Sequence, residues 1–158
     1  FYGWLARYFR FSPAKRYIGP TSGAMGYGFP AALGAKVGRP NEAVISFSGD
    51  GGFMMTMQEL ETAVREQIHV IAIVVNNNMY GTIRAHQEKQ FPNRVMATTL
   101  TNPSFSKIAK LYGCDGATVR DHVSFRDVFI EALESKSNVP YVIEVQTNPD
   151  ILSVNEEV

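Results

Sequence analysis

Two hydrophobic periods take turns along this chain. The stretches AVISFS, 43–48, and VIAIVV, 70–75, are short, β-branched and apolar on both faces, as strands at the centre of a parallel sheet must be. Between them Met57, Leu60, Val64 and Ile68 recur at helical intervals, and Thr56 with Glu59 has the spacing of a capping box. Downstream, Asn102 stands where a helix cap belongs, with Pro103 at the first position. Phe105, Ile108, Ala109 and Leu111 form the apolar stripe and Gly113 the stop. GATV, 116–119, then reads as a short strand. A helix from about Ser124 carries Phe125, Val128, Phe129 and Leu133, and YVIEVQ, 141–146, is a last strand. Upstream, 23–38 reads as a loop entering a helix rich in small residues. The stretch from Arg84 to Thr101 has no period and is expected to be a mobile loop. Strands alternating with helices imply an α/β fold with a mainly parallel central sheet covered on both faces, three layers in all.

Composition narrows this picture. A chain of 158 residues with 45% hydrophobic content suits one domain, taken as 1–158. Fifteen basic and fifteen acidic residues cancel without gathering into runs, so nucleic acid is not an expected partner. The longest apolar run, Val70 to Val75, is far too short to span a membrane, and a single cysteine, Cys114, fits a reducing compartment. The expected location is the cytoplasm. The chain begins at Phe1, which suggests a piece of a longer protein.

Candidate chemistry concentrates where strands end. Asp50 follows the first strand among Gly49, Gly51 and Gly52, and Asn76, Asn77 and Asn78 follow the second. Open parallel sheets bind ligands at the carboxyl ends of their strands. A magnesium ion takes oxygen ligands, one or two of them carboxylates and the rest amides, carbonyls, water and substrate phosphates. Asp50 offers a carboxylate, an asparagine an amide oxygen, and the glycines free N–H groups for phosphate. Gly26, Gly28 and Ala31 also fit a dinucleotide fingerprint, but RYIGPTSGAM rather than a full strand precedes them. Glycines that let a helix pack closely explain that spacing as well.

Gly-Asp-Gly at 49–51, a connection of 24 residues over 52–75, and the Asn76-Asn77 pair closing an apolar strand resemble the signature of thiamine diphosphate-dependent enzymes. SGAMGYGFPAALGAKVGRP upstream and PSFSKIAKLYG downstream are similar to the acetolactate (acetohydroxyacid) synthase group, and the likeness runs over roughly 18–146. The resemblance implies thiamine diphosphate and Mg2+ as cofactors, with the metal held by the Asp50 and Asn77 side chains and the Met79 carbonyl. It also implies diphosphate held by N–H groups at Gly51, Gly52, Tyr80 and Gly81, and the pyrimidine edge held along Gly23, Ala24 and Met25. Met25 would be the wedge that bends the cofactor so that one ring can take a proton from the other. Asn76 and Asn78 would close the turn with local side-chain bonds.

In that family a separate pyrimidine-binding domain, on the same or a partner chain, carries the glutamate that activates the ring. No stretch here matches that domain. The resemblance therefore implies the last domain of a 2-oxo acid decarboxylase or carboligase, inactive alone, in a homo-oligomer (dimer or tetramer). Apolar Met25, Tyr27 and Phe29 would be exposed for the interface. A tryptophan is usual where His86 stands, so the 2-oxo acid is left open, benzoylformate or glyoxylate types included. His86, beside Arg84 and Gln87, is a candidate proton carrier. His69 and His122 read as structural or solvated. Two alternatives remain: a non-catalytic assembly module that keeps the fold, and a nucleotide-binding oxidoreductase.

Overall fold

The computed structural model describes residues 2–12 and 16–151, so the expected domain limits at 1 and 158 lie outside the described residues. Strands β1 (Ile45–Gly49), β2 (Ile71–Asn76), β3 (Asp115–Val119) and β4 (Tyr141–Gln146) pair in parallel in the order β1-β2-β4-β3. Helices α1 (Tyr2–Tyr8) and α2 (Gly28–Gly38) precede the sheet. Helices α3 (Asp50–Met54) and α4 (Glu59–Arg65) join β1 to β2, α5 (Gly81–Gln90) and α6 (Phe105–Leu111) join β2 to β3, and α7 (His122–Glu134) joins β3 to β4.

Alternation along the central strands feeds two cores. Ala72 and Val74 of β2 enter a cluster with Phe29, Phe53, Leu60, Phe105 and Val142. Ile71 and Ile73 enter the other, with Val119, Ala132, Tyr141 and Ile143, over which α7 lays Phe125, Val128 and Phe129. Helices therefore cover both faces, as the three-layer reading requires. In the first core Phe53 meets Phe29 edge-on at 5.4 Å and Phe105 at 5.6 Å, tying α2, α3 and α6 together. Burying each ring contributes roughly 1.5–3 kcal/mol, and each edge-to-face pair about 0.5–1.5 kcal/mol more. Phe53 follows Asp50 by one helical turn, so this contact also fixes the start of α3.

Local details differ from the sequence expectation in informative ways. Strands β1 and β2 end one residue later than the apolar runs do, because Gly49 and Asn76 still pair. Thr56 closes no capping box: its hydroxyl donates to the Gly26 carbonyl at 2.9 Å, and Gln58 precedes α4 without a side-chain cap. Asn102 does not cap α6; Ser104 does, accepting from the Lys107 amide. Leu111 and Leu133 leave the expected stripes and are exposed. Helix α7 starts at His122 because Asp121 caps it, its carboxylate accepting from the Val123 and Ser124 amides.

Part of the stretch expected to lack regular structure is helical or bridged. Residues 81–90 are helical, and the Gln87 side chain both donates to and accepts from the Met96 backbone at 3.0 Å. Met79 and Thr99 then form an antiparallel bridge, and Thr98 is buried. The glycines of 26–28 also find structural work. Gly26 turns at φ +83°, and at Gly28 a Cβ would stand 2.7 Å from the Ser48 hydroxyl, so α2 packs close against β1. No strand leads into α2 among the described residues, which removes the context a dinucleotide fingerprint needs.

Candidate functional site

Register brings the two strand ends together. Gly49 pairs with Val75, so Asp50 and Asn76 leave the sheet side by side. Both are buried, at 3% and 4% exposure. Asp50 opens α3; its Oδ1 accepts from the Gly51 amide at 2.8 Å and its Oδ2 from Asn102 Nδ2 at 2.7 Å. Burial drives its carboxyl above the usual aspartate value, and hydrogen bonds from Gly51, Asn102, Asn78 and Met79 offset only part of that rise. Each of those groups is a neutral dipole. Asp50 is thus a buried carboxylate with room in its energetics for a cation.

The triple asparagine builds the turn opposite. Asn76 Oδ1 accepts from the Asn78 amide at 3.1 Å, and Asn77 Oδ1 from the Met79 amide at 3.2 Å, two overlapping turns of the kind asparagine favours. Asn78 takes φ +58°, a conformation asparagine tolerates better than most residues. The turn is held from outside by the Tyr80 amide on the Thr98 carbonyl and the Leu100 amide on the Asn78 carbonyl, at 2.8 and 2.7 Å. A Cβ at Gly51 would fall within the Tyr80 ring, which places Gly51 against Tyr80 directly before Gly81 opens α5. The structure thereby clusters Asp50, Gly51, Gly52, Asn77, Met79, Tyr80 and Gly81.

The upstream loop completes one wall. A Cβ on Gly52 would lie 3.6 Å from the Gly26 amide, so the turn carrying Gly23, Ala24 and Met25 borders the same spot. Gly23 adopts φ +68° and Met25 is 49% exposed. Of the expected apolar surface, Met25 and Tyr27 are exposed but Phe29 is buried at 1%, because the first turn of α2 rotates it into the core. His86 is exposed on α5. His69 binds the Val139 carbonyl through Nδ1 at 2.8 Å at the opposite end of the sheet, and His122 sits in the first turn of α7.

Asn102 is the residue that pattern reading missed. Its Nδ2 bridges Asp50 Oδ2 and Asn76 Oδ1, at 2.7 and 2.9 Å. Its own Oδ1 is buried with no partner. Among the described residues no three His, Cys, Asp or Glu side chains converge, so the protein alone does not close a metal cage. One carboxylate with amide and carbonyl oxygens suits a hard cation that also binds phosphate. A hollow of about 460 Å³ bordered by Lys36, His69 and Lys136 lies at the amino ends of the strands, and none of these groups lines it.

Comparison with known proteins shows the family. Residues 1–145 match the family described as "Thiamine pyrophosphate enzyme, C-terminal TPP binding domain". The chain is 37% identical over 146 residues to the acetolactate synthase isozyme 2 large subunit of Escherichia coli (strain K12), covering 90% of this chain and 26% of that protein. It is 36% identical over 151 residues to the mitochondrial acetolactate synthase catalytic subunit of Aspergillus candidus, covering 94% and 21%. Among solved structures, the Rhodococcus jostii RHA1 thiamine diphosphate-dependent 4-hydroxybenzoylformate decarboxylase superposes with a TM-score of 0.75 at 32% identity. That match covers 82% of this chain and 24% of the other. The chain spans about a quarter of the length of such relatives.

Proposed function

The chain belongs to the thiamine pyrophosphate enzymes as their C-terminal cofactor-binding domain, and from that premise we propose that it grips thiamine diphosphate through Mg2+ at the Asp50 cluster. The observation that carries this reading is Asp50 itself: a carboxylate 3% exposed, surrounded by neutral dipoles, at the paired ends of β1 and β2. The Asp50 carboxylate, the Asn77 Oδ1 and the Met79 carbonyl would ligate the ion, with cofactor phosphates supplying further oxygens. Amides at Gly51, Gly52, Tyr80 and Gly81 would hold the diphosphate, and Gly23, Ala24 and Met25 the pyrimidine, with Met25 as the wedge. Bound thiamine diphosphate supplies the electron sink for breaking or forming the bond next to a 2-oxo acid carbonyl. The chain's own residues bind and orient.

In this proposal 1–158 is one cofactor-binding domain of an acetolactate synthase-like decarboxylase or carboligase. A pyrimidine-binding domain of the same or a partner chain completes the site, in a homo-oligomer. Exposed Met25 and Tyr27 border the cofactor turn and suit such an interface. No described helix is long and apolar enough to cross a membrane, and buried, unpaired Cys114 asks for no oxidising compartment, so the proposed setting is the cytoplasm. Catalysis of decarboxylation without carboligation is a second reading. It rests on His86 at the position where the synthases usually carry tryptophan and on the decarboxylase among the structural relatives.

Calorimetric titration with thiamine diphosphate tests the proposal. Binding that needs Mg2+, is reversed by chelator and is abolished by Asp50→Ala is the expected result. Binding indifferent to both metal and substitution would sink it. Product analysis with pyruvate and with benzoylformate separates carboligation from simple decarboxylation.

A further inference from the structure

A polar chain crosses the sheet behind the Asp50 cluster. It starts at Glu144, in the middle of β4 and 1% exposed. Glu144 Oε2 accepts from Thr118 Oγ1 at 3.0 Å, Ser104 Oγ at 3.1 Å and the Ser106 amide at 3.3 Å. Its Oε1 accepts from Asn76 Nδ2 at 2.9 Å. Burial alone would push this carboxyl up, yet the donors outweigh it and hold Glu144 below the usual glutamate value.

An ionised carboxylate only accepts hydrogen bonds, and that fixes every amide down the line. Asn76 must turn its NH2 toward Glu144, so its Oδ1 faces the Asn78 amide and Asn102. Asn102 must then turn its NH2 toward Asn76, and the second proton of that group meets Asp50 Oδ2 at 2.7 Å. The mark of this imposed direction is the buried Asn102 Oδ1, left without a partner. Reversing the Asn102 amide would instead set its oxygen against both the Asp50 carboxylate and Asn76 Oδ1.

We infer that Glu144 is a positioning residue for the cofactor site: acting through Asn76 and Asn102, it dictates that a donor rather than an acceptor faces Asp50 and so fixes the Asp50 carboxylate. The inference rests on the reading of Asp50 as the cation-binding carboxylate. Glu144→Gln keeps the shape but puts an NH2 where a carboxylate oxygen stood, so Asn76 and Asn102 lose the charged acceptor that sets their direction, and only the Asn78 amide and Asp50 itself still hold it.

Two measurements on the intact protein test it. In unliganded, 15N-labelled protein the side-chain NH2 protons of Asn76 and Asn102 should exchange with deuterium at least about tenfold more slowly than those of exposed Asn78, as protected buried amides do. Exchange as fast as at Asn78 overturns the chain. Titration with thiamine diphosphate and Mg2+ should show Glu144→Gln and Asn102→Ala each weakening binding by about 10- to 100-fold, the range for groups that orient metal ligands. The double variant should be no weaker than the poorer single one, because both cut the same line. Thr118→Val removes a donor from the same carboxylate but leaves the Asn76 branch, and should bind within about twofold of the parent. Glu144→Gln binding like the parent, or penalties that multiply in the double variant, overturns the inference; should Glu144→Gln fail to fold, Asn102→Ala and the exchange experiment decide. Slow amide exchange in a parent that binds no cofactor would locate the failure in the reading of Asp50 instead.

Discussion

Asp50 and Glu144 are both buried carboxylates on one sheet, and their surroundings treat them in opposite ways. Glu144, at 1% exposure, receives four donors and is held below its ordinary value, whereas Asp50, at 3%, is driven above its own. The first is satisfied by the protein; the second is left wanting positive charge. Each carboxylate meets four neutral donors, so it is the balance between burial and those donors, and not their count, that sets the two apart. A buried charge points to a ligand when its neighbours fall short of compensating it.

The largest effect expected from breaking this contrast is at the anchor. Glu144→Ala strands the Asn76, Thr118, Ser104 and Ser106 donors, and urea denaturation should show a loss of several kcal/mol, since each buried donor left unsatisfied costs about 1–3 kcal/mol. Each carboxylate also has a glycine nearby that sharpens the comparison. A Cβ at Gly116 would stand 2.8 Å from the Ser106 carbonyl, backbone that cannot swing aside, so Gly116→Ala should destabilise by about 1–3 kcal/mol. At Gly51 the obstacle is the Tyr80 ring, which can move. Gly51→Ala should leave stability within about 1 kcal/mol of the parent while weakening Mg2+-dependent thiamine diphosphate binding, read by calorimetry.

The smallest expected effect is on pH dependence. The folded value of Glu144 lies below its unfolded value, so its stabilisation is present above the unfolded value and is lost as pH falls through the folded one. Denaturation midpoints of Glu144→Gln should therefore change less than those of the parent over that acidic interval. An equal or steeper change would mean that Glu144 is not the satisfied partner in the contrast.

Much of this was legible in sequence because the physics behind it is local. A short β-branched run such as VIAIVV reads as a buried strand, and Asp50 and the three asparagines stand out because glycine and asparagine at strand ends are punctuation that parallel sheets use for ligands; the choice of Asn77 among them comes from the family resemblance. Asn102 was misread for a physical reason. An asparagine before Pro103 carries a helix-start signal, and nothing within a few residues tells that its side chain reaches Asp50, 52 positions away. Ser104 takes the cap instead. Glu144 gave a fainter sign, a lone charge inside YVIEVQ. Its meaning depends on donors from β2, β3 and α6 that only the fold assembles. Phe29 was misplaced although Phe29, Ala32 and Leu33 have helical core spacing; proximity to Met25 in sequence outweighed that period. Thr56 and Glu59 show the converse, a matching spacing unused because Gly26 competes for the hydroxyl.

The central claim is that Asp50 is an uncompensated charge awaiting a cation. It is tested most directly by thermal melting of Asp50→Asn beside the parent, each with and without Mg2+ and thiamine diphosphate. The account predicts that Asn, which carries no buried charge, raises the unliganded melting temperature above that of the parent, while the parent alone is stabilised by the ligands. A variant that melts lower than the parent when unliganded, yet gains as much from Mg2+ and thiamine diphosphate, would contradict it.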